Sequence, residues 1–322
     1  MVKIDLVERV KDKKEKPEER GNALIMLAVD ERKADLLGII EEVKRGSEHE
    51  LGDALVKAFP EPHIRSALAN ALGIAGGREV YETLMSLVQD PEERVRCDAI
   101  LNAGEVKDSR VSFPLMNLYP LAGYEEQQFI LLALRSLADP RTTSFLSKAY
   151  GDTALTDLAD DAWKASADNF NFVYTFHGDE ERREKAERAI GQFVLNSYDD
   201  IPEDIFLNTS CRQPQTYVVT RGVKFVIGGF LEEHVDVAQG KEVRAAGEAW
   251  FERQGDRWAI TSINNRSNGY YPAANSYCWV SKALSKTGIQ FPPGFTKVFP
   301  GEKGYGYCDK EFLQDQPFFK DA

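Results

Sequence analysis

The sequence predicts an α-solenoid of helix pairs over residues 1–168, followed over residues 169–322 by an α+β domain with a mainly antiparallel sheet. Three observations predict it. A motif recurs every 31 residues, the apolar positions within each copy keep a helical period, and after about residue 170 the pattern changes to alternating, strand-like runs. At 322 residues the chain is long for one core and comfortable for two domains.

In chain order, "KDKKEK" near the N-terminus reads as the solvated end of a helix. "GNALIMLAVDERKADLLGIIEEVKRG" reads as a helix pair out of exact register with the later copies. The repeat is clearest from Ile64: Ile64 and Val95, Gly73 and Gly104, Val80 and Val111, Leu84 and Leu115, and Leu87 and Leu118 are each 31 positions apart. A third copy matches Asp139 to Asp108, Arg141 to Arg110 and Leu146 to Leu115. Leu68, Ala71 and Leu72, then Val80, Leu84 and Leu87, recur at three- and four-residue steps, the mark of one buried helical stripe. The breakers "GIAGG", "GEVKDS" and "LADPR" suit tight turns between helices. Asp90-Pro91 and Asp139-Pro140 place a capping side chain before a proline fitted to a first helical turn. "ALTDLADDAWKAS" reads as the cap of the array.

A lone helix pair cannot cover its own apolar stripe, so neighbouring pairs must stack. "IRSALANALG" and "VRCDAILNAG", followed by "GGREV" and "KDSRV", resemble the short bacterial HEAT-like repeats of the phycobilin-lyase-related type. The resemblance covers residues 63 to 152 and implies a HEAT-like array that binds a protein partner through its concave face. The alternative is an array that only packs on its own C-terminal domain.

Beyond residue 170, "DEERREKAERAIGQFVLNSY" (179–198) reads as one more helix, with Ala186, Ile190 and Phe193 on one side. "TYVVT", "VKFVIGG", "EVRAAGEAWFE" and "RWAITSIN" read as strands, the last two as a hairpin about Gln254-Gly255. Alternation puts Arg244, Ala246, Glu248 and Trp250 on one face, and Val243, Ala245, Gly247, Ala249 and Phe251 on the other. Gly247 weakens a strand unless backbone or ligand approaches closely or a bulge is needed. "SINNRSNGYYP" then joins the hairpin to the helix of "NSYCWVSKALSKTGI", which Gly288 stops. Side chains on such a loop commonly meet ligands: Asn264, Asn265, Ser267 and Asn268 donate and accept, and Tyr270 and Tyr271 offer flat faces with a hydroxyl tip.

Composition excludes several classes. The formal charge of −12 argues against nonspecific nucleic-acid binding. No apolar run approaches the roughly 20 residues needed to cross a bilayer. The N-terminus has no apolar signal core, so a cytoplasmic location is expected. Cys97, Cys211, Cys278 and Cys308 are scattered, with no CxxC pair, and His49, His63, His177 and His234 lack ligand spacing. Free thiols and no metal are the expectation, and the cofactor is left unknown.

Residues 217–296 resemble an uncharacterised bacterial domain, carried by Glu-His-Val, by Gly-x-x-Val-x-Ala-Ala-Gly-Glu and by Asn-x-Ser-x-Gly-Tyr-x-Pro. More distantly the segment is similar to the core of plant IQ-motif calmodulin-binding proteins and of some secreted-toxin domains. The matching positions are Glu233, His234, Gly247, Glu248, Asn265, Ser267, Gly269, Tyr270 and Pro272. This chain departs from the bacterial pattern in keeping only Cys308 in its tail. It departs from the plant pattern in having Gly269 directly before Tyr270, and it lacks the IQ helix.

The residues support two functional readings. In the first, a helical-repeat protein-interaction scaffold carries a ligand-recognition domain that takes a small molecule or peptide at Glu233, Asn265, Ser267 and Tyr270. In the second, the C-terminal domain is an enzyme, a transferase or hydrolase. His234 would then exchange a proton near pH 7 and Glu248 would orient it, in a polar cleft. A variant makes Cys278 the nucleophile at the start of its helix. The structural alternatives are a partly exposed histidine, an exposed strand glutamate and a half-buried helix cysteine. A cystatin- or NTF2-like cone for the helix and strands would serve either reading.

Overall fold

The computed structural model describes residues 5–29, 32–47, 50–149, 155–167, 169, 171–197, 214–228, 232–255 and 257–299. His49, Cys211 and Cys308 lie outside the described residues. The chain divides into two compact units, Met1–Ala167 and Asp168–Ala322.

The first unit is helical: α1 (Leu6–Lys11), α2 (Pro17–Val29), α3 (Lys33–Arg45), α4 (Leu51–Ala58), α5 (Pro62–Ala75), α6 (Tyr81–Leu87), α7 (Glu93–Glu105), α8 (Ser112–Leu118), α9 (Tyr124–Leu137), α10 (Thr143–Ala149) and α11 (Thr156–Ala167). The longer helices pack in sequence, α2 on α5, α5 on α7, α7 on α9 and α9 on α11. The shorter helices pair with them or with each other, as α6 does with α7 and with α4. One continuous apolar cluster runs through the row, with Leu68, Leu72, Ile100, Ala103, Leu131 and Leu134 fully buried. Gly104 belongs where it is because a β-carbon there would lie 2.6 Å from the backbone of Ala133 on α9.

The 31-residue period is also written in polar contacts. Arg65 donates to the carbonyls of Phe59 and Pro60 at 2.8 and 3.0 Å. Arg96, one period on, donates to those of Asp90 and Pro91 at 2.9 and 3.0 Å. Each guanidinium also meets a carboxylate: Arg65 grips Asp90 with two bonds of 2.7 and 2.9 Å, and Arg96 reaches Glu126 at 2.5 Å. In the turns between helices, Asp108 caps the backbone of Arg110 and pairs with its side chain, which donates to the carbonyl of Arg78 at 2.9 Å. Asp139, Arg141 and the carbonyl of Ser109 repeat that arrangement 31 residues later. Asp139 takes the expected capping role before Pro140, whereas Asp90 lies in the turn ahead of α7 and accepts from the Glu92 N–H without capping the helix; each carboxylate also neutralises a buried guanidinium.

Backbone conformation keeps the same beat. Gly76, Lys107 and Ala138, just past α5, α7 and α9, all have a positive φ, of 58°, 58° and 51°, with Ala138 in the left-handed helical region and Gly76 at ψ −176°. Only the first has the residue type that adopts this conformation without a β-carbon clash.

The second unit comprises α12 (Glu180–Ala186), β1 (Phe193–Leu195), β2 (Gln215–Thr220), β3 (Phe225–Ile227), α13 (His234–Val237), β4 (Val243–Gln254), β5 (Arg257–Ile263) and α14 (Tyr277–Leu284). The strands form one antiparallel sheet in the order β1-β3-β2-β4-β5. β4 and β5 make the expected hairpin, turning at Gly255 with φ 63°. The expected helix over 179–198 is shorter: it ends at Ala186, Gly191 turns at φ 104°, and Phe193–Leu195 pairs with β3 as a strand. Ile190, expected on its apolar side, is 89% exposed.

α14 packs on one sheet face through Val280, Ala283 and Leu284, against Tyr217, Val219, Ala245, Ala249 and Phe251. The other face buries Val218 and Ala246 with Phe176, Val235, Val237 and Tyr270. Val243 joins this second cluster rather than that of Ala245, because the β2–β4 register shifts between Val219 and Thr220. Among the described residues no helix is long and apolar enough to cross a membrane.

The positive-φ ends give a direct test. Replacing Ala138 by glycine removes a β-carbon penalty of roughly 1–2 kcal/mol and adds roughly 0.5–1 kcal/mol of unfolded-state entropy. Ala138→Gly is expected to raise stability in urea unfolding by about 0.5 kcal/mol. A loss would contradict the assigned backbone conformation.

Candidate functional site

The site is built where β4 passes under the segment that leaves β5. At Gly247 the two backbones nearly touch: a β-carbon there would lie 2.0 Å from the carbonyl oxygen of Asn264. The glycine is thus required by close backbone approach, one of the reasons its place in a strand suggests. The crossing carbonyl accepts a bond from the Tyr217 hydroxyl at 2.8 Å.

Asn264 then clamps the next residue of β4. Its backbone N–H donates to the Glu248 carbonyl, its Oδ1 accepts from the Glu248 N–H, and its Nδ2 donates to Glu248 Oε2, each at 3.0 Å. The same Oδ1 accepts from the Arg266 N–H at 2.9 Å, and Arg266 Nη1 reaches Glu248 Oε1 at 3.4 Å. The Arg266 and Glu248 side chains are 11% and 14% exposed, so this is an ion pair largely withdrawn from water. Burial pushes the Glu248 carboxyl up, opposed by the Asn264 bond and by the charges of Arg266 and Lys297.

His234 opens α13 on the other side of Gly247. Its Nε2 lies 3.0 Å from the Gly247 carbonyl, and because a carbonyl only accepts, that nitrogen carries the proton. Burial is the main cause that pushes the imidazole down to about 4, with the Arg266 charge adding to it and the Gly247 bond opposing it. At neutral pH the ring is uncharged, with Nδ1 as a lone-pair acceptor. Glu233, just before it, is exposed and pairs with Arg182 at 3.1 Å. Arg182 also grips Asp236 at 2.9 and 2.5 Å, which ties α13 to α12.

The structure brings His234, Gly247, Glu248 and Arg266 into one cluster, but the carboxylate faces Asn264 and Arg266 rather than the imidazole. Of the remaining candidates on the loop, Asn265, Ser267 and Tyr270 are buried in the protein, while Asn268 is exposed. Asn265 donates to the carbonyls of Pro272 and Phe299, and accepts from the Phe299 N–H, all at 2.7 Å. Ser267 is fully buried, with its hydroxyl 3.4 Å from the Tyr270 N–H. Tyr270 is fully buried too: its ring lies 5.8 Å from Phe176 and its hydroxyl donates to the Lys241 carbonyl at 2.8 Å. The part of the loop that carries Asn265 and Tyr270, expected as the rim of a cleft, is thus an interior tie, because these polar groups are matched by backbone from elsewhere in the unit.

Cys278 is exposed as the second residue of α14. Burial around its sulfur pushes the thiol up, against the pull of the Trp279 backbone and of the Arg244 and Lys282 charges, which is the opposite of an activated nucleophile. Among the described residues no group of three or more histidine, cysteine, aspartate or glutamate side chains could hold a metal ion. Arg266 is the member that sequence reasoning misses. Its only signal is a lone cation within an otherwise neutral loop of an acidic chain. Comparison with family models, with curated proteins and with solved structures finds no match for the chain.

The imidazole of His234 links this site to pH. Its folded value lies below the ordinary 6.5, so on acidification the unfolded chain takes up a proton that the folded chain refuses. The stability that neutral His234 contributes is complete above about pH 6.5 and is lost as pH falls towards about 4, by at most about 3 kcal/mol. His234→Gln keeps an N–H donor without the titration. Its urea-unfolding stability is expected to fall less steeply than that of the parent over this window, and equal slopes would contradict the assignment.

Proposed function

We propose that the protein is a protein-interaction scaffold: an α-solenoid of HEAT-like helix pairs that holds a protein partner on its concave face, joined to an α+β ligand-recognition domain. The observation that carries the reading is the recurrence, at 31 residues, of guanidinium–carbonyl contacts and positive-φ helix ends. Units that repeat both packing and polar contacts stack into an extended surface, and such surfaces serve recognition. Recognition needs no activated residue, which agrees with a Cys278 thiol pushed up and a Glu248 carboxylate already bonded within the protein.

The enzymatic alternative draws on one observation, a neutral imidazole in the same cluster as a carboxyl pushed upward by burial. For His234 and Glu248 to act together, Glu248 would first have to leave Arg266 and Asn264. We therefore place the C-terminal domain second, as a module whose exposed groups, Glu233 and Asn268 among them, would meet a small molecule or peptide.

The scaffold reading is tested by placing a photo-reactive residue at half-buried Met85 on α6 and, as a control, at exposed Glu18 on α2. In extract of the native cells, position 85 is expected to give a discrete protein adduct that excess unlabelled full-length chain competes away, and position 18 none. Absence of any competed adduct from position 85 would overturn the reading.

A further inference from the structure

A groove of about 580 Å³ lies between α4 and the end of α6, lined by residues of the helical unit. That volume is within the roughly 300–1,000 Å³ typical of ligand sites. Its apolar surface comes from Leu51 and Val56 on α4 and from Met85 and Leu87 on α6. Among the described residues the lining holds three carboxylates, Glu50, Asp53 and Asp90, and no lysine or arginine. Asp90 is neutralised by its two bonds to Arg65, whereas Glu50 and Asp53 are exposed and have no ion pair among the described residues.

We infer that this groove is where the array holds its partner, and that the segment bound there is a basic peptide with apolar side chains between its lysines or arginines. The inference rests on the scaffold reading and names the chemistry of the partner. A lining that mixes aliphatic side chains with two unpaired carboxylates rewards a chain that sets apolar side chains against the first and cations against the second. An acidic segment would meet repulsion from Glu50 and Asp53, and a purely apolar one would leave both carboxylates next to a desolvated surface.

The test uses the full chain and three labelled peptides of equal length, alternating leucine with lysine, serine or glutamate. Fluorescence anisotropy measures affinity, and hydrogen exchange maps protection. The lysine–leucine peptide is expected to bind tightest and to protect residues 50–56 and 85–91. Glu50→Gln with Asp53→Asn should weaken it about fivefold. Glu18→Gln with Glu125→Gln, the same charge change on exposed positions of α2 and α9, should leave affinity within about a factor of two. Equal binding of the serine or glutamate peptide in the groove overturns the basic partner and leaves the scaffold standing. Protection elsewhere on the helices, or equal weakening by the control pair, overturns the groove and leaves the scaffold standing. If no peptide protects any part of residues 5–167, both the inference and the scaffold reading fall.

Discussion

Buried guanidinium groups set the terms for the helical unit. Arg65 and Arg141 are almost wholly out of water, and a cation so placed must be met by a carboxylate and by backbone oxygens. The partners come from defined places: a carboxylate in the adjoining turn, and carbonyls at the end of the preceding helix or in the turn one repeat earlier. Because the planar fork accepts few geometries, each arginine fixes how far one helix pair is displaced from the next. Apolar packing supplies most of the driving force for the row of helices. The arginines make one register of that packing better than its neighbours.

The C-terminal unit uses the same logic with an amide in place of a guanidinium. Asn264 meets both backbone groups and the carboxylate of Glu248, and its own backbone lies so near β4 that only glycine fits at position 247. Asn265 does the same for the chain around Phe299. A loop of asparagines, an arginine and a serine thereby becomes interior structure. His234 adds a third fastening through the Gly247 carbonyl, which is why its charge state, rather than proton transfer to Glu248, links this region to pH.

Local pattern explains what is legible in the sequence. The helix pairs announce themselves because every stripe and breaker lies within one repeat, and Gly255 marks the hairpin because a two-strand turn is a local event. The features that escape depend on distant partners. Phe193–Leu195 continues a helical pattern on paper, yet β3, far along the chain, offers it a ladder and Gly191 breaks the helix first. Asn265, Ser267 and Tyr270 read as surface chemistry because their type is polar, and only the fold supplies the carbonyls of Phe299 and Lys241 that satisfy them. Arg266 is invisible for the same reason, its carboxylate being on another strand. The groove beside α4 leaves no mark in the sequence, since it is a gap between helices from successive repeats.

The central claim is that buried guanidinium contacts hold the repeats in register, and Arg141, fully withdrawn from solvent beside Asp139, tests it most directly. Urea unfolding of Arg141→Ala, followed through the helical signal, should show a loss of about 3–5 kcal/mol, because Asp139 is left buried without its cation. A loss below about 1 kcal/mol, with native hydrogen-exchange protection kept across α9 and α11, would contradict the account.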